Sequence, residues 1–591
     1  MRQRLHERWT TRATRVLVTG LGVAGLTACD SLLEVELPHL LTDDAIQSAN
    51  TAELQVNSAI ALFECGYTHF GLTTLGHDDT MTSVSGVGSG NNVYSATAAS
   101  GNCDTSDTAI AWFDQIMGAR AMLSTTPSRM VATSQGTVTG DFPVGRGVYD
   151  RIQDEWGIAG VINGERLSAL ASIYVAMSLG HLGEIMCDMS IDGSDLLTPD
   201  EVLAVAEGWI TSRALGHITN AGTGFTVMPF GVTSSATATT GGTPTEMALA
   251  VRARIRWARG DLAGADADAA TVLGTRSRFT AWVTRDVGPT RRNKVWFTNT
   301  FQGYSGMMGL NRNWNGPARN PNPATGTQWP TILPFTGYIG LGLTPDGRAL
   351  EPHPTGGAPS IPVRFAEEAR NSTFAQVPCT VASPAPGCVV GAVQDHRVQH
   401  GRKQIQTGFY EVPFRYGTTA AGSDGNDIPY MTWEELRLIR AERYNQLNDR
   451  TNAIAQINAI RSAPSITGAS SSNQAAAALP AISGAYLAAL TDGTNDQAEM
   501  RAAIIEERRR EFFSEGRYMA TKIQNTDLTW FPRLQGSGLT YQNAGGVRLL
   551  LPADEYTNNP YMIARGRESA RGTGCTTAAP GLLPGATVPL F

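Results

Sequence analysis

The chain has 591 residues, with 46 Lys and Arg against 53 Asp and Glu, a formal net charge of −7. Lys294, Lys403 and Lys522 are its only lysines and the arginines are interspersed with acids, so no basic stripe fits a phosphate backbone and no nucleic-acid partner is expected. Length alone would allow several domains, but helical patterning recurs at both ends of a loop-rich middle, which favours one helical scaffold carrying an insertion.

Arg2, Arg4, Arg8, Arg12 and Arg15 precede the apolar run from Val16 to Ala28, which ends in Leu26-Thr27-Ala28-Cys29. A basic start, an apolar run too short to span a bilayer and small residues before a cysteine describe a lipoprotein signal peptide over 1–28, with Cys29 as the lipidated residue. Each buried acyl methylene contributes ~0.8 kcal/mol, so several chains on Cys29 form a durable membrane anchor. Without residues 1–28 the chain keeps 41 Lys and Arg against 52 Asp and Glu, a formal charge of −11. No later stretch offers the ~20 apolar residues of a membrane helix. Residues 29–591 are therefore expected as one soluble, tethered domain.

Within it the helical units are expected over about 42–278 and 430–530, around a loop-rich aromatic insertion at about 279–430 and before a carboxy-terminal tail, 531–591. Thr42-Asp43-Asp44 can cap a helix through about Phe63. Glu165 to Met186 carries Leu167, Leu170, Ile173, Tyr174, Met177 and Leu182 at helical spacing, with Gly180 read as a hairpin break and Pro199 to Gly216 as the partner helix. Pro244 to Leu273 is a clearer pair, with Gly260-Asp261 at the turn and Ala265 packed after it. The arrangement returns at Trp433 to Arg461, where Ala441 and Tyr444 precede Asn448-Asp449 and Ala453 follows. Small residues at helix crossings and a left-handed turn residue are the marks of a tetratricopeptide-type hairpin, and such hairpins must stack to bury their apolar faces. The expected fold is mainly α, a helical-hairpin solenoid.

The insertion holds Trp296, Phe297, Phe301, Tyr304, Trp314, Trp329, Phe335 and Tyr338 among Asn, Gly and Pro. Aromatic rings can cover the C–H face of a sugar while Asn299, Asn311, Asn313, Asn315 and Arg312 bond its hydroxyl rim. Trp314, Trp329, Trp296, Tyr304, Tyr338 and Asn313 are the ligand-binding candidates; a small core pinning the insertion is the competing role. Trp112, Phe113 and Trp156 fit a buried helix face instead.

With Cys29 assigned to lipid, six cysteines permit three disulfides. Cys379 and Cys388 bracket a Pro-rich loop, Cys65 with Cys103 comes next, and Cys187 with Cys575 follows by elimination; free buried thiols are the other reading. There is no C-x-x-C, P-loop, G-x-S-x-G or EF-hand loop, and the glycine string at Gly20 to Gly25 lies inside the signal peptide. His396-Arg397-Val398-Gln399-His400 lacks the glutamate of a zinc-protease helix, and His77-Asp78-Asp79 reads as a solvated turn. No cofactor or metal is required, although Asp424, Asp427, Asp192 and Asp195 leave an irregular calcium site open. Glu507 to Glu511 carries charges one helical turn apart, read as ion pairs lacing a solenoid surface. No catalytic residue is assigned and an enzyme is not expected.

Three stretches in order carry a resemblance. Trp433-Glu434-Glu435-Leu436-Arg437-Leu438-Ile439-Arg440-Ala441-Glu442, followed by Ala453 to Arg461, is similar to E-x-x-L-I-x-A-E and A-x-x-x-I-N-x-I-R. Glu507-Arg508-Arg509-Arg510-Glu511-Phe512-Phe513-Ser514-Glu515-Gly516 is similar to E-R-R-x-E-L-x-x-E-G. Pro552 to Pro560 fits P-x-x-E-x-x-x-N-P. The chain thus resembles the SusD/RagB family of outer-membrane nutrient-binding lipoproteins. It departs from the family at Tyr518 and Thr521, where Arg and Asp are usual. The resemblance implies an outer-membrane lipoprotein that captures an oligosaccharide or peptide nutrient above a TonB-dependent SusC-like barrel, with a glycan favoured because the loop aromatics suit sugar rings. A tetratricopeptide-type scaffold lipoprotein recruiting envelope proteins is the alternative.

Overall fold

The computed structural model describes residues 48–77, 81–83, 112–125, 130–133, 136–139, 146–187, 189–192, 196–222, 225, 242–285, 293, 308–310, 363–368, 374–375, 395–405, 408–413, 427–463, 479, 481–482, 487–488, 490–493, 496–513, 515–525, 533–534, 541–542, 548–549 and 551. The chain divides into two units, residues 1–51 and 52–591. In the first, Ala49–Thr51 form one 3-10 turn, with Thr51 N donating to Ser48 O at 3.0 Å.

The second unit is mainly helical. Helix α1 (Ala52–His77) runs past Phe63, where the sequence pattern was expected to end it, because Phe63, Tyr67 and Phe70 carry its buried face onward. His77 therefore closes a helix, while Asp78 and Asp79 lie outside the described residues. Strand β1 (Met81–Ser83) follows, then α2 (Trp112–Leu123), which packs on α1. Trp112 and Phe113 are buried there as expected, and Phe70 meets Trp112 edge-on at 5.2 Å. Strands β2 (Met130–Thr133) and β3 (Gly136–Thr139) form a hairpin ahead of α3 (Val148–Asp154). Trp156 belongs to no helix face: it sits half-buried in the bend after α3, with the Arg151 guanidinium 4.8 Å above its ring.

Helix α4 (Gly164–Ile185) is unbroken, which corrects the hairpin expected at Gly180. A Cβ at Gly180 would stand 2.9 Å from Ile255 Cγ1, so this glycine permits close approach of another helix and makes no turn. Helix α5 (Pro199–Gly208) returns, passes through a π-helical stretch, Trp209–Ala214, and continues as α6 (Leu215–Ala221). The second hairpin is α7 (Pro244–Ala258) with α8 (Leu262–Thr275). At its turn Gly260 has φ +81°, Asp261 Oδ1 accepts from Gly264 N at 2.9 Å, and Ala265 is buried, as the sequence pattern predicts.

Strand β4 (Thr280–Val283) opens the insertion. Inside it lie β5 (Met308–Leu310), β6 (Val363–Glu368), β7 (Phe374–Ala375), β8 (Asp395–Ile405) and β9 (Gly408–Pro413), and β10 (Ile428–Thr432) closes it. β10 pairs antiparallel with β4, and β7-β6-β8-β9 form a four-stranded sheet in which β6 and β8 run parallel. The insertion, which lacks helical period, thus contains a sheet. The run from His396 to His400 is part of β8.

The third hairpin is α9 (Trp433–Gln446) with α10 (Arg450–Ser462), turning at Asn448 with φ +59°, where Asp449 Oδ1 accepts from Asn452 N at 3.1 Å. Helices α11 (Asp496–Glu511) and α12 (Tyr518–Gln524) follow, with short strands β11 (Arg533–Leu534) and β12 (Tyr541–Gln542) in the tail. α7 packs on α4, α9 on α8, α11 on α9, and α12 returns to α4. Successive hairpins therefore stack as expected, with α4 at their common centre. Among the described residues no helix is long and apolar enough to cross a membrane.

One sequence device recurs at the starts of three helices. Thr198-Pro199-Asp200-Glu201 and Thr243-Pro244-Thr245-Glu246 each form a closed capping box, threonine and glutamate satisfying one another's backbone amides. Thr432 also caps, accepting from Glu435 N at 3.2 Å, but the Glu435 side chain turns inward instead of closing the box.

Gly180→Val should lower the unfolding free energy by about 1–3 kcal/mol, since packing at α4 and α7 has no room for two methyl groups. Adding Ile255→Ala should return part of that loss. A denaturant double-mutant cycle measures it, and additive losses would contradict the close contact.

Candidate functional site

Trp296, Tyr304, Asn313, Trp314, Trp329 and Tyr338, the residues proposed for ligand, lie outside the described residues, as do Cys29, Cys103, Cys379, Cys388 and Cys575. Cys65 and Cys187 are buried and each is disulfide-bonded. Asp424 and Asp195 are also outside. Asp192 is 2.6 Å from Arg120, and Asp427 Oδ1 accepts from Arg285 N at 2.7 Å. Among the described residues no three His, Cys, Asp or Glu side chains are arranged to hold a metal.

The densest group of titratable side chains is instead at the centre of the helical stack. α9 supplies Glu435, α7 Arg254, α4 Glu184, and the turn before α12 supplies Arg517. Arg254 Nε donates to Glu435 Oε1 at 3.0 Å, and Arg254 Nη2 bonds both Glu435 Oε2 and the Tyr430 carbonyl. Arg517 Nη2 donates to Glu435 Oε1 at 2.9 Å, while its Nη1 meets Glu184 Oε2 at 2.5 Å. All four side chains are at most 3% exposed. Two cations and two anions make the cluster neutral, which is the condition for leaving such charges in a dry interior.

The backbone prepares it. Between Pro429 and Met431 the β4–β10 register shifts, and Tyr430 is the residue left over; its carbonyl is the one Arg254 takes. The Arg254 guanidinium also lies 4.5 Å over the Tyr430 ring. Nearby His181 is buried edge-on to Phe70, ring centroids 4.0 Å apart. Burial, with Arg517 and Arg254 close by, pushes its pKa well below the usual histidine range, so it stays neutral.

Adjacent glutamates are shifted in opposite directions. Burial opposes the charge of Glu435, yet Arg254 and Arg517 bring its carboxyl down to about 2. Glu434 is pushed well above the usual range by burial, then by the charges of Glu511 and Glu515. Along α11 the same contrast recurs: burial raises Glu506 to about 7 despite Arg510 at 2.8 Å, while Arg397 and Arg461 overcome the burial of Glu507 and hold it down.

The charges of α11 therefore do not lace a surface. Glu506 to Glu511 are all buried, and although Arg510 pairs with Glu506 one turn away, Glu507 reaches Arg461 of α10 and Arg397 of β8, the latter at 2.7 Å. Arg397 is thus an ionic attachment of the insertion's sheet to α11. Arg508 lies 4.4 Å over Trp257 and donates to Glu442 at 2.5 Å, and Trp257 Nε1 donates to the same carboxylate at 2.6 Å.

The tail adds a cap. Arg548 Nη1 donates to the carbonyls of Gly183 and Glu184, both at 3.0 Å, and Met186 at 3.3 Å, satisfying buried carbonyls at the end of α4 that have no partner within the helix. Leu549 pairs with Ile185 and Cys187 through two backbone hydrogen bonds. Glu184, Arg254 and Arg517 were not singled out in the sequence. Their signal was a charge inside an apolar helical pattern, as Glu184 is between Leu182 and Ile185.

Residues 404–520 match the SusD family. This segment contributes Glu434, Glu435, Glu442, Arg461, Glu506 to Glu511 and Arg517, so the motifs that carry the resemblance are largely the buried ionic groups just described. No curated protein sequence matches the chain. Solved structures similar to it include a SusD superfamily protein from Bacteroides vulgatus, 11% identical over 87% of this chain and 99% of that one with a TM-score of 0.48. Another is a SusD/RagB family protein from Bacteroides thetaiotaomicron, 11% identical over 91% and 99% with a TM-score of 0.47. A third is described as a SusD-like carbohydrate binding protein from Bacteroides vulgatus, 12% identical over 82% and 84%, TM-score 0.43.

Each carboxylate of the central cluster is paired and sealed, which suits a lock between helices and offers no substrate access. Glu435→Gln should cost about 3–5 kcal/mol at pH 7, since it leaves buried guanidinium charge uncompensated. The stabilisation from Glu435 is present above about pH 4.5 and is lost as the pH falls toward 2. Glu434 has the opposite sign: its contribution is present below its unfolded pKa and lost as the pH rises toward its raised folded value. Glu434→Gln should be tolerated within about 1 kcal/mol at pH 6 and grow more stable relative to the parent at pH 8. Urea unfolding at both pH values checks this, and a loss of Glu435 size in Glu434→Gln would contradict the raised pKa of Glu434.

Proposed function

We propose that the chain is a nutrient-capture lipoprotein of the outer membrane, held by acylated Cys29, that binds an oligosaccharide through its insertion and passes it to a TonB-dependent SusC-like barrel. The observation that carries this reading is the SusD-family match over residues 404–520, joined to the lipoprotein leader and the aromatic-rich loop sequence between Trp296 and Tyr338. Residues 29–591 act as one binding domain in this proposal, with binding rather than catalysis as its task.

The buried ionic stack supports a division of labour: paired helices supply rigidity, and long loops are left to meet the ligand. Flat rings of Trp314 and Trp329 suit the apolar face of a sugar, with Trp296, Tyr304 and Tyr338 extending the platform and Asn313 bonding the hydroxyl rim.

A glycan and peptide array with the protein lacking residues 1–28 identifies the ligand class. On the best-bound oligosaccharide, Trp314→Ala and Trp329→Ala should each weaken calorimetric affinity by about 1 kcal/mol or more. Unchanged affinity in both removes these residues from the site, and binding of envelope proteins with no saccharide or peptide bound favours the scaffold alternative.

A further inference from the structure

The turn of helix that joins α5 to α6 is wider than an α-helix: Leu215 N bonds back to Ile210 O across five residues, and Trp209–Ala214 form the π-helical stretch. Such single turns break the regular ladder and recur where a set of side chains must be re-aimed. Here the set is Trp209, Arg213 and His217. The Arg213 guanidinium lies 3.8 Å from the Trp209 ring centroid and 5.5 Å from that of Tyr149. Trp209 and Tyr149 meet edge-on at 5.0 Å, so the platform under the guanidinium is itself braced.

Tyr149 is fixed from its other end. Its hydroxyl is 3.2 Å from His217 Nε2, His217 Nδ1 is 2.6 Å from Glu165 Oε2, and Asn220 Nδ2 donates to Glu165 Oε1 at 3.1 Å. Two acids of this neighbourhood take their hydrogen bonds from other groups, although Asp150 and Arg213 still attract one another through space. Glu165 is held by His217 and Asn220, and Asp150 accepts from Ser124 Oγ at 3.1 Å and Thr125 N at 2.8 Å. Arg213 itself is exposed and has no hydrogen-bonded or ion-paired partner among the described residues, in contrast to Arg252, Arg256 and Arg259 on neighbouring α7 and its turn, each bonded to a carboxylate.

A guanidinium stacked face-on to an aromatic ring uses its π surface and keeps its in-plane N–H groups. Those donors form a fork that matches the two oxygens of a carboxylate or another oxyanion. Thr211, Ser212 and Gly216 beside it are exposed, and a Cβ built on Gly216 would meet nothing within 4 Å, so a ligand can reach the fork.

We propose that Arg213, laid on Trp209 and braced by Tyr149, is an oxyanion-recognition point that selects acidic sugars, with the carboxylate of a uronate as the favoured group. This deepens the capture reading and rests on it, because it names a class of saccharide. It does not depend on the loop aromatics.

The test measures binding of oligogalacturonate, a neutral galacto-oligosaccharide of equal length and a sulfated form of that neutral chain to the protein lacking residues 1–28. The uronate should bind about tenfold more tightly than the neutral chain, as one charge-assisted fork implies. Arg213→Gln should abolish the preference while leaving neutral binding and the melting temperature unchanged, and Arg213→Lys should keep only part of it. A preference for the sulfated chain over the uronate would reassign the favoured group and overturn the uronate proposal. Equal binding of the uronate and neutral chains, or a preference that survives in Arg213→Gln, would overturn the site itself while leaving saccharide capture standing. Binding of none of the three overturns the site, and an array then negative for every glycan overturns saccharide capture as well.

Discussion

Glu435 held between Arg254 and Arg517 is the contact on which the helical stack depends. It draws one side chain from each of α9 and α7 and one from the turn ahead of α12, and Arg517 extends it to Glu184 on α4. These residues are hundreds of positions apart in places, 333 for Glu184 and Arg517. Burying four charges carries a desolvation cost of several kcal/mol per ion, so the cluster need not stabilise the fold more than apolar residues of the same shape would. What it does enforce is specificity: any hairpin docked out of register leaves a charge without its partner in a dry interior.

The same logic organises the periphery. Arg397 attaches the sheet of the insertion to Glu507, and Arg548 fastens the tail to the carbonyls that end α4, the helix that carries Glu184. Elements far apart in sequence, and irregular in themselves, are thus referred to the same central helices. Loops joined to elements fixed in this way can vary without disturbing the stack.

The hairpins were legible in the sequence where local chemistry determines local structure. Gly260-Asp261 and Asn448-Asp449 announce left-handed turns followed by caps, and the structure has both. Gly180 misled because a glycine in a helix has two meanings, turn or close approach, and only the position of Ile255, 75 residues on, decides between them. The charged run of α11 misled for a related reason. Its spacing is that of an exposed, ion-paired helix, and the partners that make burial possible, Arg397 and Arg461, lie on other elements. Strands β4 and β10 escaped because they pair across the whole insertion, and β6 and β8 because they pair in parallel across a long connection. Of the candidate site, the loop aromatics came from composition alone, whereas the Arg213 platform depends on a π-helical turn that no linear pattern announced.

The most direct measurement of the central claim is a double-mutant cycle in urea between Glu184→Gln and Arg517→Met, residues joined by two hydrogen bonds at the core of the cluster. A coupling energy of about 1–3 kcal/mol, with the double mutant far less damaged than the sum of the single changes, is the predicted result. Strict additivity of the two losses would mean that the pair does not act as a unit, and would contradict the account.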